Sequence, residues 1–164
     1  MSDFLIRPAD LQAQADQQAI LHLTEVMSYD SPGSPQPLPA AVKQKLIQGL
    51  QAMPTTLILL AWRQDQAVGA AVCFWGFSTF AAQRVLNVHD LIVQAENRGQ
   101  GIGKLLLAAV EQAARAGDAC KVTLEVDEEN AGARRLYAQL GYVGADTPGK
   151  AGRTFFLAKR LAPV

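Results

Sequence analysis

The apolar residues of this chain fall into short continuous runs and into stripes of helical spacing that take turns along it, the signature of strands alternating with helices. Phe4-Leu5-Ile6-Arg7 predicts a first strand, stopped by Pro8. Asp16 then offers a cap to a helix whose apolar face uses Ala19, Ile20, Leu23 and Met27. Residues 28–39 hold four prolines, a glycine and three serines, so a surface loop is expected there, followed by a second helix over 40–53. Residues 55–62 form a continuous apolar run, Gln64-Asp65-Gln66 a turn and residues 67–77 a further run, which predicts a hairpin; residues 84–93 pair next. From Ile102, the residues Leu105, Leu106, Ala109, Val110 and Ala113 recur at helical spacing with Lys104, Glu111, Gln112 and Arg115 turned away, and Gly117 ends the helix. Residues 121–126 alternate, with Val122, Leu124 and Val126 on one face and Thr123 and Glu125 on the other. The link between the strands at 84–93 and 121–126 is too long for a hairpin, so they form a right-handed parallel unit. A last helix over 130–140 ends at Gly141, and the turn Pro148-Gly149-Lys150-Ala151-Gly152 leads to a closing strand over 154–161.

Composition narrows the function classes. A length of 164 residues with 49% hydrophobic content suits one domain with a sizeable core. Fifteen basic and fifteen acidic side chains cancel, which gives no support to a nucleic-acid or anionic-membrane partner. The N-terminus Met1-Ser2-Asp3-Phe4 lacks a charged segment followed by an apolar one, and no stretch approaches the roughly 20 apolar residues of a membrane span, so a cytoplasmic location is expected. Cys73 and Cys120 sit among apolar or small residues and read as buried free thiols. No spacing of His22, His89 and carboxylates suggests a metal site.

Chemistry concentrates at Arg98-Gly99-Gln100-Gly101-Ile102-Gly103, between the strand ending at Val93 and the helix that begins at Ile102. Glycines at alternate positions allow positive φ and close approach of a ligand to the backbone, and a helix starting there adds unpaired N–H donors and the positive end of its dipole. The stretch reads as a phosphate cradle, with a plain glycine turn as the competing reading. A dinucleotide fingerprint fits poorly, because the spacing is G-x-G-x-G and the segment lies past the middle of the chain. A P-loop is excluded by Leu105 after Gly103-Lys104, where a hydroxyl is required.

Arg98 through Leu106 resembles the Q/R-x-x-G-x-G/A acyl-CoA pyrophosphate loop of the GNAT superfamily of N-acetyltransferases. Leu124-Glu125-Val126, Asn130, Ala133-Arg134-Arg135-Leu136-Tyr137 and Gly141-Tyr142 resemble the strand and helix that follow it there, so the likeness runs from about Val88 to Tyr142; within the superfamily that stretch looks most like the polyamine and diamine acetyltransferases. The resemblance implies a three-layer α/β fold with helices on both faces of a central mixed, mostly antiparallel sheet, splayed at the parallel strand pair after residues 88–93. It implies acetyl-CoA as donor and sole cofactor, with its pantetheine arm bonded to the backbones of Leu91, Ile92 and Val93 and its diphosphate on Arg98, Gly99, Gln100, Gly101, Ile102, Gly103 and Lys104. It further implies donor contacts from Asn130, Ala133 and Tyr137, with Tyr137 as the general acid that protonates the departing thiolate. For Asn130, the reading from the residues alone is a helix cap.

The attacking amine must lose a proton, and His89 and Asp90 are the candidate bases. In the resembled branch an acidic residue stands where His89 does. Strict alternation puts His89 on the face of Leu91 and Val93, and Asp90 with Val88 and Ile92, so only one of the pair can look into the cleft. Tyr29, Asp30, Trp75 and Phe77, with Glu25 and Phe80 nearby in the pattern, supply carboxylates and aromatic faces suited to an ammonium. They point to a small primary amine as acceptor, although Trp75 and Phe77 also alternate like ordinary core residues. The alternatives are a noncatalytic acyl-CoA-binding or sensing domain, and acetylation of a protein amine. Thr154-Phe155-Phe156-Leu157 could pair across a homodimer, and a monomer with that strand buried fits equally.

Overall fold

A computed structural model describes residues 3–30, 36–144, 146–149 and 152–160, with the backbone alone at 146–149, 152–154 and 160. The elements are β1 (Leu5–Pro8), α1 (Gln14–Asp30), α2 (Ala40–Ala52), β2 (Thr56–Arg63), β3 (Gln66–Ser78), β4 (Gln83–Val93), α3 (Ile102–Ala116), β5 (Ala119–Asp127), α4 (Ala131–Gln139), β6 (Asp146–Gly149) and β7 (Gly152–Arg160). They build a seven-stranded sheet of order β1-β2-β3-β4-β5-β7-β6. Every neighbouring pair is antiparallel except β4 and β5, the pair joined through α3.

The alternation of β2, β3 and β4 sorts their side chains onto two cores. Leu59, Ala61, Val68, Ala71, Leu86 and Val88 pack with Ile102, Leu106, Leu107, Val110 and Ala114 of α3. On the opposite face Ile58, Leu60, Ala70, Val72 and Ile92 pack with Ala19, Ile20 and Leu23 of α1 and Leu50 of α2. The buried stripe of α3 is rotated from the expected one: Leu107 is fully buried and Leu105 only half, because the sheet takes the face centred on Leu106, Leu107, Val110 and Ala114. Gly69 makes room for this helix. A Cβ there would lie 2.8 Å from the Ile92 carbonyl oxygen and 3.2 Å from Ile102, so only glycine lets the first turn of α3 sit down on β3 and β4.

Three sequence expectations change. Helix α1 begins at Gln14, so Asp16 stands in its first turn and is not its cap. Asp16 is almost fully buried, and both carboxylate oxygens receive Arg7 at 2.7 Å while the Asp10 N–H donates to Oδ2 at 2.7 Å, which ties β1 to α1. A strand lies where only a turn was expected: β6 pairs with β7 from Asp146↔Phe155 to Gly149↔Gly152, and it holds Pro148 because an edge strand can do without one N–H. Strand β7 is consequently paired with β5 from Thr154 to Arg160 and with β6 from Gly152 to Phe155. The end of the predicted closing strand, Leu161, and Lys150 and Ala151 of the turn lie outside the described residues. Among those described, no helix is long and apolar enough to cross a membrane. Cys73 is buried, which pushes its thiol up to about 12, and Cys120 is half-buried.

Hydrogen bonds from Arg7 hold the Asp16 carboxyl below its ordinary value, against the opposing effect of burial. A depressed carboxylate stabilises the fold above its unfolded pKa and loses that contribution as pH falls through the folded one. Asp16→Ala should therefore lower stability by about 2 kcal/mol at pH 7, with Arg7 partly solvated, and by much less at pH 2 to 3. Urea melts of both chains across that range check the expectation.

Candidate active site

The parallel pairing of β4 with β5 runs from Arg84↔Ala119 to Val88↔Leu124 and stops there. Strand β4 continues to Val93 and stays paired with β3 on its other edge, from Val72↔Asp90 to Gly69↔Val93. Strand β5 continues to Asp127 against β7. The two strands diverge, and residues 89–93 face β5 across a gap with no ladder. Backbone donors and acceptors cannot be left dry without cost, so such a gap calls for water or a ligand carrying amide groups.

A bulge sits at the head of the gap. Cys73 pairs with Val88 and Val72 with Asp90, so His89 is the extra residue. The bulge overturns the strict alternation expected from the sequence: Val88, Leu91 and Val93 all join the α3 core, whereas Ile92 joins the α1 core. Asp90 lies opposite Val72, which belongs to that same α1 core, and the exposed His89 ring meets Phe74 edge-on with centroids 5.7 Å apart. Both polar residues thus turn toward the side of the sheet that carries α1 and α2. Burial raises the Asp90 carboxyl, and the neighbouring His89 partly offsets it.

Beyond Val93 the chain makes a 3-10 turn, Ala95–Asn97, and enters the glycine stretch. Gly99 and Gly101 have φ of 75° and 84°, with open space where a Cβ would be. Gly101 is the N-cap of α3 and supplies no side-chain oxygen, which leaves the first N–H groups of the helix uncapped. Helix α4 flanks the same place, since a Cβ on Gly103 would stand 3.1 Å from Leu136. Gln100 turns back to the Glu96 carbonyl at 3.3 Å. Arg98 donates from Nε to the Val93 carbonyl at 3.0 Å and pairs with Asp30 at the end of α1.

From α4, Tyr137 enters the α3 core and is 6% exposed. Its ring lies 6.1 Å from that of Tyr142, and burial pushes its phenol up to about 12. Tyr142 is engaged with Glu111 at 3.4 Å, and Lys159 holds that carboxylate at 2.6 Å. Asn130 takes the capping role: its Oδ1 accepts from the Ala133 N–H at 3.1 Å. Arg134 turns to the Phe155 ring, 4.7 Å away, and to the Glu128 carbonyl.

The expected acceptor residues separate. Tyr29 and Asp30 end α1 near Arg98 and, with His22, Val26, Gln66, Gln94, Ala95 and Glu96, line a cleft of about 380 Å³. Trp75 and Phe77 lie at the opposite end of the sheet, opposite Leu86 and Arg84. There Trp75 packs against Gly117 and under the Arg84 guanidinium at 3.8 Å, which is a structural role, and Phe77 is exposed beyond it. Glu25 is paired with Lys43 of α2 at 2.5 Å. Sequence reasoning missed a different surface. Asn87, Thr123, Glu125 and Phe156 share the face of β4, β5 and β7 opposite α3, with Asn87 donating to the buried Thr123 Oγ1 at 3.0 Å and the exposed Glu125 opposite Phe156. The polar member of each pair in 121–126 was the available signal.

The sequence pattern described as the Acetyltransferase (GNAT) family matches residues 23–142, well over half of the chain. The chain belongs to the GNAT acetyltransferase family. That family is one of acetyltransferases. The uncharacterized N-acetyltransferase YhfO of Bacillus subtilis (strain 168) is 34% identical over 88 residues, 53% of this chain and 58% of that protein, so the match spans little more than half of that relative. Among solved structures, an N-acetyltransferase from Staphylococcus aureus Mu50 superposes with a TM-score of 0.76 at 18% identity, covering 96% of this chain and 98% of that one. The yncA protein of Salmonella typhimurium, solved with its cofactor acetyl-CoA, gives 0.75 at 19% identity over 98% and 95%. These two likenesses establish the GNAT fold.

The backbone at Gly101 separates conformational from steric cost. Gly101→Ala should destabilise the protein by about 1 to 2 kcal/mol, because φ is positive although the space is open. Gly49→Ala, in equally open space within α2, should stabilise by about 0.5 to 1 kcal/mol. Parallel urea melts give both signs.

Proposed function

We propose that the protein transfers the acetyl group of acetyl-CoA to the primary amine of a small molecule by direct attack. The observation that carries this reading is the end of β4–β5 pairing at Val88↔Leu124, beside a glycine cradle that begins five residues after β4 ends at Val93. From His89 to Val93 the strand spans about 13 Å, and an arm bearing two amides can lie along it as a substitute strand on Leu91, Ile92 and Val93. Its diphosphate then meets Gly99, Gly101 and the uncapped N–H groups of Ile102, Gly103 and Lys104, with Arg98 and Gln100 at the mouth. Asn130 has its oxygen engaged as a cap, so it offers the donor only its amide N–H groups.

In the reaction the amine nitrogen bonds to the thioester carbonyl carbon, a backbone N–H near Leu91 stabilises the oxyanion, and the C–S bond breaks as the intermediate collapses. Tyr137 gives its proton to the leaving thiolate. Its hydroxyl has no hydrogen-bond partner within the described residues, which suits a group kept for a ligand. The proton of the attacking nitrogen passes to His89, directly or through water, with Asp90 beside it. The acceptor lies on the face opposite α3, where the exposed Glu125 carboxylate attracts an ammonium and Phe74 and Phe156 provide aromatic walls.

A thermal-shift titration with acetyl-CoA, CoA, ATP and NAD comes first, followed by a thiol-release screen of small amines against peptide N-termini. A CoA-selective rise in Tm and turnover with small amines support the reading; a response to ATP or NAD alone, or turnover with peptides only, overturns it. Tyr137→Phe should lower kcat by about 100-fold and leave the Kd of CoA within about twofold. Because burial keeps this phenol protonated to about pH 12, a fall in kcat below pH 10 must come from another group.

A further inference from the structure

We infer that Asp30 is a positioning residue for donor binding, acting through Arg98, an inference that rests on the diphosphate reading of the glycine stretch. Asp30 is the last residue of α1, where the helix dipole is negative and the last turn carries no basic residue. An acidic side chain there stands against the local field. Its compensation comes from outside the helix: Arg98, the first residue of the cradle, pairs with it through Nη2 while Nε donates to the Val93 carbonyl.

Two anchors on neighbouring nitrogens orient the guanidinium plane. Of its five N–H donors, three stay free for a ligand. A free arginine side chain would lose its rotamer freedom on binding the diphosphate, and one already held by Asp30 and Val93 has lost it beforehand.

The placement of Asp30 is itself fixed. About two turns earlier on α1, His22 meets the Gln94 side chain, Nε2 to Nε2, at 2.8 Å. Gln94 is buried at the end of β4, bonds through its N–H to the Val68 carbonyl at 3.0 Å, and accepts from Asn97 at 3.3 Å. Asn97 in turn accepts from Arg63 at 3.5 Å. Helix α1 is thus pinned to both ends of the segment that opens the cradle. The Asp30 charge also repels a diphosphate, but both partners are half-exposed and that repulsion is screened, whereas misdirecting Arg98 removes charge-assisted bonds whose strength depends on direction.

The test compares acetyl-CoA with acetyl-pantetheine, which lacks the diphosphate, in the parent chain, Asp30→Ala, Asp30→Asn, Arg98→Ala and the Asp30→Ala/Arg98→Ala pair. Asp30→Ala should raise the KM for acetyl-CoA about five- to tenfold, with kcat and the KM for acetyl-pantetheine unchanged. Asp30→Asn, which still accepts from Arg98, should recover most of the loss, and the double variant should bind no worse than Arg98→Ala. Equal losses with both donors, no loss, tighter binding of acetyl-CoA, or additive losses in the double variant would each overturn the inference. A parent chain that does not distinguish the two donors would instead overturn the diphosphate reading itself.

Discussion

Everything at the centre of this molecule follows from one interrupted hydrogen-bond ladder. Parallel strands β4 and β5 satisfy each other for five registered pairs and then part, while β3 and β7 keep the outer edges of both strands occupied. The divergence is stable because the side chains of β4 remain in two cores throughout the gap: Leu91 and Val93 against α3, Ile92 against α1. The apolar packing that holds the strand in place therefore leaves one row of its peptide groups without a strand partner.

The bulge at His89 decides which chemistry meets that gap. Without the extra residue, Asp90 would fall on the α3 side, among apolar groups where a carboxylate has no partner. With it, His89 and Asp90 both reach the face that carries α1 and α2, and β4 regains its alternation for the last three residues. One inserted residue thus brings two ionisable groups to one face while Val88 and Leu91 stay in one core and Ile92 in the other.

The glycine cradle is positioned by contacts on three sides. Gly69 lets Ile102 approach the sheet, Gly103 admits Leu136 of α4, and α1 reaches the segment through His22 and Asp30. The element that opens the chain therefore helps fix a loop that lies past its middle, which is why α1 belongs to the site although its sequence looks like an ordinary amphipathic helix.

The sequence by itself determined the succession of elements, the parallel unit around α3, the glycine stretch and the family likeness from Val88 to Tyr142, because these depend on local periodicity and on glycines at fixed spacing. It did not reveal β6, whose four residues carry a proline and pair only because β7 lies alongside. It kept Asp90 with Ile92 but misassigned His89 and grouped Val88 with Asp90, since a bulge is set by the register with β3 and leaves no mark in a period-two pattern. Trp75 was open between core and acceptor site, Asp30 was read with the acceptor, and Glu125 stood out only as a polar alternate of its strand. Only tertiary structure put Trp75 under Arg84 at the far end of the sheet, turned Asp30 toward Arg98 and left Glu125 exposed on the face opposite α3, because which neighbour a side chain meets depends on strand order and helix placement.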